Sequence, residues 1–160
     1  MRTMLLVAVF CAEMGLGVGA EGKNGTGEPA VAAATLEGTW RVEITLRNCG
    51  TGQAVGIPFP ALATFVRGGT LTTSDGGLSP AVRGTGHGVW WRLRGRTFAA
   101  LTEAFMFNGG VRSGTQQISQ EIELGHDRMT FEARVSSAVL DTAGQIVFAG
   151  CASSVGRRMD

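Results

Sequence analysis

The chain of 160 residues has no tyrosine, two histidines, four prolines and a single lysine, Lys23, among fourteen basic side chains. Such arginine excess is the mark of a composition that favours Arg, Ala, Gly and Val codons. The formal net charge of +1 excludes the basic footprint of a nucleic-acid binder and the acidic tail of a charged interaction segment. No G-x-S-x-G nucleophile motif occurs, and no His-x-x-x-His or acidic cluster offers metal spacing. Three cysteines are too few and too scattered for a structural zinc site, which needs four ligands at short spacings. The apolar stretch "LLVAVFCA" is too short to span a bilayer comfortably, and Glu13 follows it, so no stable membrane insertion is expected.

The N-terminus instead reads as a signal peptide over residues 1–20. "MRTM" carries the positive charge, "LLVAVFCA" is the apolar core, and Val18 and Ala20 occupy the −3 and −1 positions of a cleavage site. The alternative is a lipoprotein acylated at Cys11, for which Phe10 is a poor preceding residue. Either reading exports the protein to a secreted or periplasmic location. Cleavage after Ala20 removes Cys11 and leaves Cys49 and Cys151, and an even pair in an exported chain reads as a disulfide. Residues 21–35, "EGKNGTGEPAVAAAT", are polar, glycine-rich and aperiodic, a flexible leader to a domain over 36–160.

What the chain has in abundance is glycine, 25 residues of it, in clusters between short alternating runs. That is the pattern of antiparallel strands joined by tight turns. In "TWRVEITLR" Trp40, Val42, Ile44 and Leu46 share one face and Arg41, Glu43, Thr45 and Arg47 the other. "FPALATFVR" and "TLTTS" flank a glycine turn. "GVWWRLRGRTFAALTEAFMF" folds back at "LRGR", "TQQISQEIEL" and "MTFEARVSSAV" flank "GHDR", and "IVFAGCASSVGRR" follows "DTAG". Four-residue loops at the last two turns place Leu124 opposite Met129, Ile122 opposite Phe131, and Val139 opposite Ile146. Apolar faces then meet apolar faces across three strands, and a one-residue slip would expose them all.

Eight such strands predict an all-β, eight-stranded antiparallel up-and-down barrel. Closure lays the first strand against the last. Cys49 and Cys151 then both fall outward, where a disulfide can bolt the seam, and Trp40 comes beside Arg157 and Arg158. A guanidinium over an indole contributes about 0.5–2 kcal/mol.

Gly38-Thr39-Trp40 at the head of the first strand resembles the Gly-x-Trp signature of lipocalins. That resemblance implies a late arginine, here Arg158, packed across Trp40 at the closed end of the barrel. The chain is also similar to exported bacterial proteins of lipocalin-like, calycin type, through "GTW", "GGTL" at residues 68–71, "GHGVW" at 86–90, and the closing segment from Asp141 through Cys151 to Arg158. The resemblance covers nearly all of the domain. A Thr-Asp-Tyr turn, the second motif of classical lipocalins, has no counterpart here.

"GHGVWWRLRGRTF" holds the richest chemistry. A turn centred on Arg94 and Gly95 places Trp91 opposite Phe98, Val89 opposite Ala100 and His87 opposite Thr102. On that register His87, Val89, Trp91, Phe98, Thr102 and Met106 line the interior, joined by Gln120, Phe131 and Phe148. Trp90, Arg92 and Arg94 look out, with Leu101, Phe105 and Phe107. An apolar interior with sparse polar groups is what a small-molecule pocket looks like. The expected function is an exported barrel that binds a small hydrophobic molecule, with no cofactor, metal or nucleic-acid partner. One alternative is a cofactor-free cyclase or isomerase using His87 and Glu103. The other is a structural or interaction protein with a filled barrel, whose outward aromatics Trp90, Phe105 and Phe107 form a homodimer face.

Overall fold

Alternation along the strands fixes what faces what. In a computed structural model, which describes residues 34–159, eight strands follow one another: β1 (Gly38–Arg47), β2 (Ala54–Val66), β3 (Thr70–Asp75), β4 (Gly86–Arg94), β5 (Thr97–Asn108), β6 (Val111–Leu124), β7 (Thr130–Asp141) and β8 (Ile146–Arg158). Each pairs antiparallel with the next and β1 pairs with β8, so the sheet closes into a barrel. No helix is present among the described residues. The expected signal peptide and nearly all of the expected leader lie outside them.

At the seam Trp40 pairs with Arg158, one of its expected neighbours, and Arg47 with Cys151. Cys49 lies two residues beyond β1 and forms a disulfide with Cys151, their Cα atoms 5.3 Å apart and 102 residues distant in sequence. The bond clips the seam at the end opposite Trp40.

At the Trp40 end the guanidinium of Arg158 lies 4.3 Å from the indole ring. Its Nε donates to the Arg128 carbonyl at 3.0 Å, its Nη2 to the Thr35 carbonyl at 2.9 Å, and its Nη1 to the Glu37 carbonyl. One side chain thus ties β8 to the β6–β7 turn and to the strap of residues 34–37 that precedes β1. Trp40 Nε1 donates to the Leu36 carbonyl of the same strap at 2.9 Å. Gly38 belongs to this lock for a steric reason. Its φ is +124°, and a Cβ there would stand 2.7 Å from Arg158 Nη1. Burial lowers the pKa of Arg158, but a guanidinium remains charged throughout the physiological range.

Above the strap an aromatic floor fills the barrel. Trp40 packs on Phe131 at 4.9 Å, Phe65 meets Phe131 and Trp90 edge-on, and Trp90 packs on Phe98 at 5.8 Å. Leu36, Leu71, Ile122 and Leu124 complete a core from which water is excluded.

Three hairpins depart from the expected registers. Leu124 pairs with Phe131 and Ile122 with Ala133, two residues from the expected match. The turn is longer because Arg128 takes a left-handed conformation (φ 58°) and Met129 belongs to the turn, not to β7. The Asp127 carboxylate accepts from the Met129 and Thr130 amides, and these bonds hold its pKa below the ordinary carboxylate value. Val139 pairs with Phe148, Ser137 with Gly150, and Leu140 with Ile146, so Val147 is a bulge. Both shifts are by two residues over the core of each ladder, so the apolar faces still point inward.

The third departure reverses a face. Leu93 is a bulge in β4, so Arg94 pairs with Thr97, Arg92 with Phe98 and Trp90 with Ala100. Trp90 is therefore inside, and His87, Val89 and Trp91 are outside, the reverse of the expected arrangement.

Replacing Arg158 with Ala removes the indole contact and its three charged hydrogen bonds. The expected loss is about 2–4 kcal/mol of folding stability, read as a lowered urea midpoint, with Arg158→Lys recovering only part because an ammonium cannot reproduce the fork.

Candidate functional site

Polar side chains are sparse inside the barrel, and they gather at one height. Above the aromatic floor is a chamber of about 100 Å³, based on Phe131 and walled by Val42, Ala63, Ile118 and Val135. It adjoins a wider vestibule of about 470 Å³ toward the disulfide end, bordered by Leu46, Phe59, Met106, Val139 and Phe148. Ala152, Ser137 and Gln116 border both spaces. Phe148 is 60 % exposed at this end, so the vestibule opens to solvent.

Between chamber and vestibule stands a buried ion pair. Arg83 Nη1 lies 2.8 Å from Asp75 Oδ2, with side-chain exposures of 3 % and 13 %. Arg83 Nε also donates to Gln116 Oε1 at 2.5 Å, and its Nη1 to the Gly84 carbonyl at 3.3 Å. Local structure explains how a loop residue comes to be inside. Residues 76–85 link β3 to β4, and their second half runs along β5 as an irregular extension of β4. Phe107 donates its amide to the Val82 carbonyl, Gly84 donates to the Phe105 carbonyl, and Arg83 forms an isolated bridge with Met106. The guanidinium then crosses from β5 to reach β3 and β6.

Three hydroxyls in the chamber wall are buried without a hydrogen-bond partner: Thr73 Oγ1, Thr102 Oγ1 and Ser154 Oγ. Thr102 is 1 % and Ser154 3 % exposed. Buried polar groups are nearly always paired, and an unpaired one costs about 1–3 kcal/mol. All three residues border the chamber. The glycines of "GHGVW" take part in this: Gly86 and Gly88 occupy the inward positions, and a Cβ on Gly86 would collide with Thr73 Oγ1.

The residues expected to line the interior divide into three groups. Thr102, Gln120 and Phe131 border the chamber, and Met106 and Phe148 border the vestibule. Phe98 is wholly buried in the floor, with Arg92 4.9 Å above its ring. His87, Val89 and Trp91 are not interior residues. The Leu93 bulge puts them on the outer surface, with Val89 48 % and Trp91 46 % exposed. His87 stands opposite Glu103, whose Oε1 accepts from Gln117 Nε2 at 2.8 Å. The two border a shallow outer groove of about 360 Å³ with Leu101 and Phe105, so this acid–base pair does not face the chamber.

The outer apolar face also differs in membership. Trp90 is packed inside and donates its Nε1 to the Val66 carbonyl. Phe107 is half-buried, its ring close to Gly84. The exposed set is Val89, Trp91, Leu101 and Phe105.

Sequence reasoning missed Asp75 and Arg83. In "SDGGLSPAVRGTG" both sit among turn-forming residues, where charge normally marks solvated loop. Nothing local distinguishes Arg83 from any other loop arginine. Only the approach of β3, β5 and β6 makes it an interior residue.

No protein-family model matches the chain, and no curated protein matches it by sequence.

Arg83→Met leaves the mostly buried Asp75 carboxylate without its cation, with only the Gly77 amide still donating to it, and the expected cost is about 3 kcal/mol in a denaturant titration. The double variant Arg83→Met with Asp75→Leu is expected to be more stable than the single one, because an apolar pair of similar volume leaves no buried charge.

Proposed function

We propose that the protein is an exported, lipocalin-like barrel that binds a small hydrophobic molecule in its interior. The observation that carries this reading is the mostly apolar chamber joined to an open vestibule, above a floor that is fully packed. Ligand sites of this kind are concave, mostly apolar, and carry a few placed polar groups. An eight-stranded barrel is wide enough for one small ligand. Trp40 and Arg158 close one end, which leaves access from the disulfide end. Export through the N-terminal signal, cleaved after Ala20, agrees with the Cys49–Cys151 bond, since disulfides persist in oxidising compartments. The exposed face of Val89, Trp91, Leu101 and Phe105 supports a second reading, self-association through the outer surface of β4 and β5.

Titration with the neutral fluorescent probe N-phenyl-1-naphthylamine tests the first reading. Saturable enhancement at one site per chain is expected. Ala152→Phe, which fills the junction of chamber and vestibule, is expected to weaken binding by about tenfold or more, the scale of a steric loss near 1.4 kcal/mol. His87→Ala and Leu101→Ser, on the outer face, are expected to leave it unchanged. Binding that disappears in Leu101→Ser and persists in Ala152→Phe would place the probe on the outer face and contradict the interior site.

A further inference from the structure

We infer that the interior site takes a neutral, oxygen-bearing apolar molecule, an alcohol or a ketone, with its oxygen seated in the chamber and its hydrocarbon body in the vestibule. The inference rests on the ligand-binding reading above and narrows it.

Charge is the first argument. Asp75 and Arg83 are the charged residues that border the chamber, and they are paired with each other at 2.8 Å. Gln116 takes up Arg83 Nε, and the Gly84 carbonyl takes a further bond from Nη1. The guanidinium therefore brings no uncompensated positive charge to the site. Arg47, at the vestibule rim, donates to Ser153 Oγ and the Gly52 carbonyl on the outer side. A carboxylate seated in the chamber would lose its hydration with no unpaired cation beside it, which is the costly case for a buried charge.

The distribution of polar groups is the second argument. An amphiphile that leaves its head in solvent calls for polar groups at the mouth and hydrocarbon at depth. Here the mouth is mostly apolar: Leu46, Phe59, Met106, Val139 and Phe148 line it beside the rim residue Arg47, whereas the unpartnered hydroxyls belong to Thr73, Thr102 and Ser154 of the chamber wall. Each can donate to or accept from a neutral oxygen, because a hydroxyl rotor serves in either role. A side-chain rotation that turns one of these hydroxyls into the chamber would give a ligand oxygen a partner that the fold itself leaves unused.

Displacement of N-phenyl-1-naphthylamine by a matched ten-carbon series tests this at pH 8: 2-decanone, 1-decanol and decanoate. The expected result is displacement by the ketone and the alcohol at concentrations about tenfold or more below those needed for decanoate, as an uncompensated buried charge requires. Asp75→Asn, which uncovers the Arg83 charge without changing side-chain shape, is expected to shift the ratio toward decanoate. The wild-type ratio stands as a test even if that variant does not fold. Equal or preferential displacement by decanoate in the wild-type protein would overturn the neutral-ligand inference and leave the binding site standing. Absence of probe binding together with no heat of binding for any of the three compounds would overturn both.

Discussion

The Arg158 guanidinium, lying on the Trp40 indole, is the contact on which the architecture turns. It sits where the last strand meets the first, the one place where an eight-stranded meander becomes a barrel. Its bonds to Thr35, Glu37 and Arg128 draw the incoming strap and the β6–β7 turn over the same end. Gly38 lacks a side chain because this guanidinium occupies the space. An end sealed this way supports the linked aromatic floor of Trp40, Phe131, Phe65, Trp90 and Phe98. Arg92, above Phe98, reaches the strap carbonyl of Ala34 and repeats the device on the opposite wall. The other end of the seam is clipped by a covalent bond at the wall and needs no filling side chain. One end is thus packed and the other can stay open.

That asymmetry grades the interior. Large rings at the floor give way to small wall residues such as Ala61, Ala63 and Ala152, which leave the chamber. The Arg83–Asp75 pair then crosses the barrel where the core ends. Such a pair is poor evidence for stability, because desolvation can cancel its Coulombic attraction. Its structural effect is geometric: it anchors the irregular β3–β4 connection to β3 and β6 and keeps that stretch of wall in place. Its electrical effect is to cancel its own charge, so the interior is polar at one level without being charged overall.

How much of this was legible in the sequence depended on whether each residue's neighbours carry a periodic signal. The strand count, the closed barrel, the Trp40–Arg158 contact and the Cys49–Cys151 bond could all be read, because β1 alternates cleanly and the cysteines, Trp40 and Arg158 fall at matching ends of the first and last strands. The apolar parities of β6, β7 and β8 were also readable, although their turns shifted each register by two. β4 was not. Its inward positions include Gly86 and Gly88, which carry no hydropathy signal, while His87, Val89 and Trp91 between them look like a buried face. A single bulge at Leu93 decides between the two, and nothing in "WRLRGR" marks it. Of the interior set, Thr102, Gln120, Phe131, Met106 and Phe148 were found from parity. Asp75 and Arg83 were not, because an ion pair assembled from loop and strand end has no sequence spacing to detect.

The proposed function requires that the barrel, packed at one end, hold a small molecule at the other. Native mass spectrometry of the protein purified from the cells that make it tests that claim most directly. The account predicts a reproducible small-molecule adduct that is lost on denaturation and that is absent from the Ala152→Phe variant. A bare wild-type mass, unchanged by incubation with alcohols, ketones and fatty acids, would contradict it.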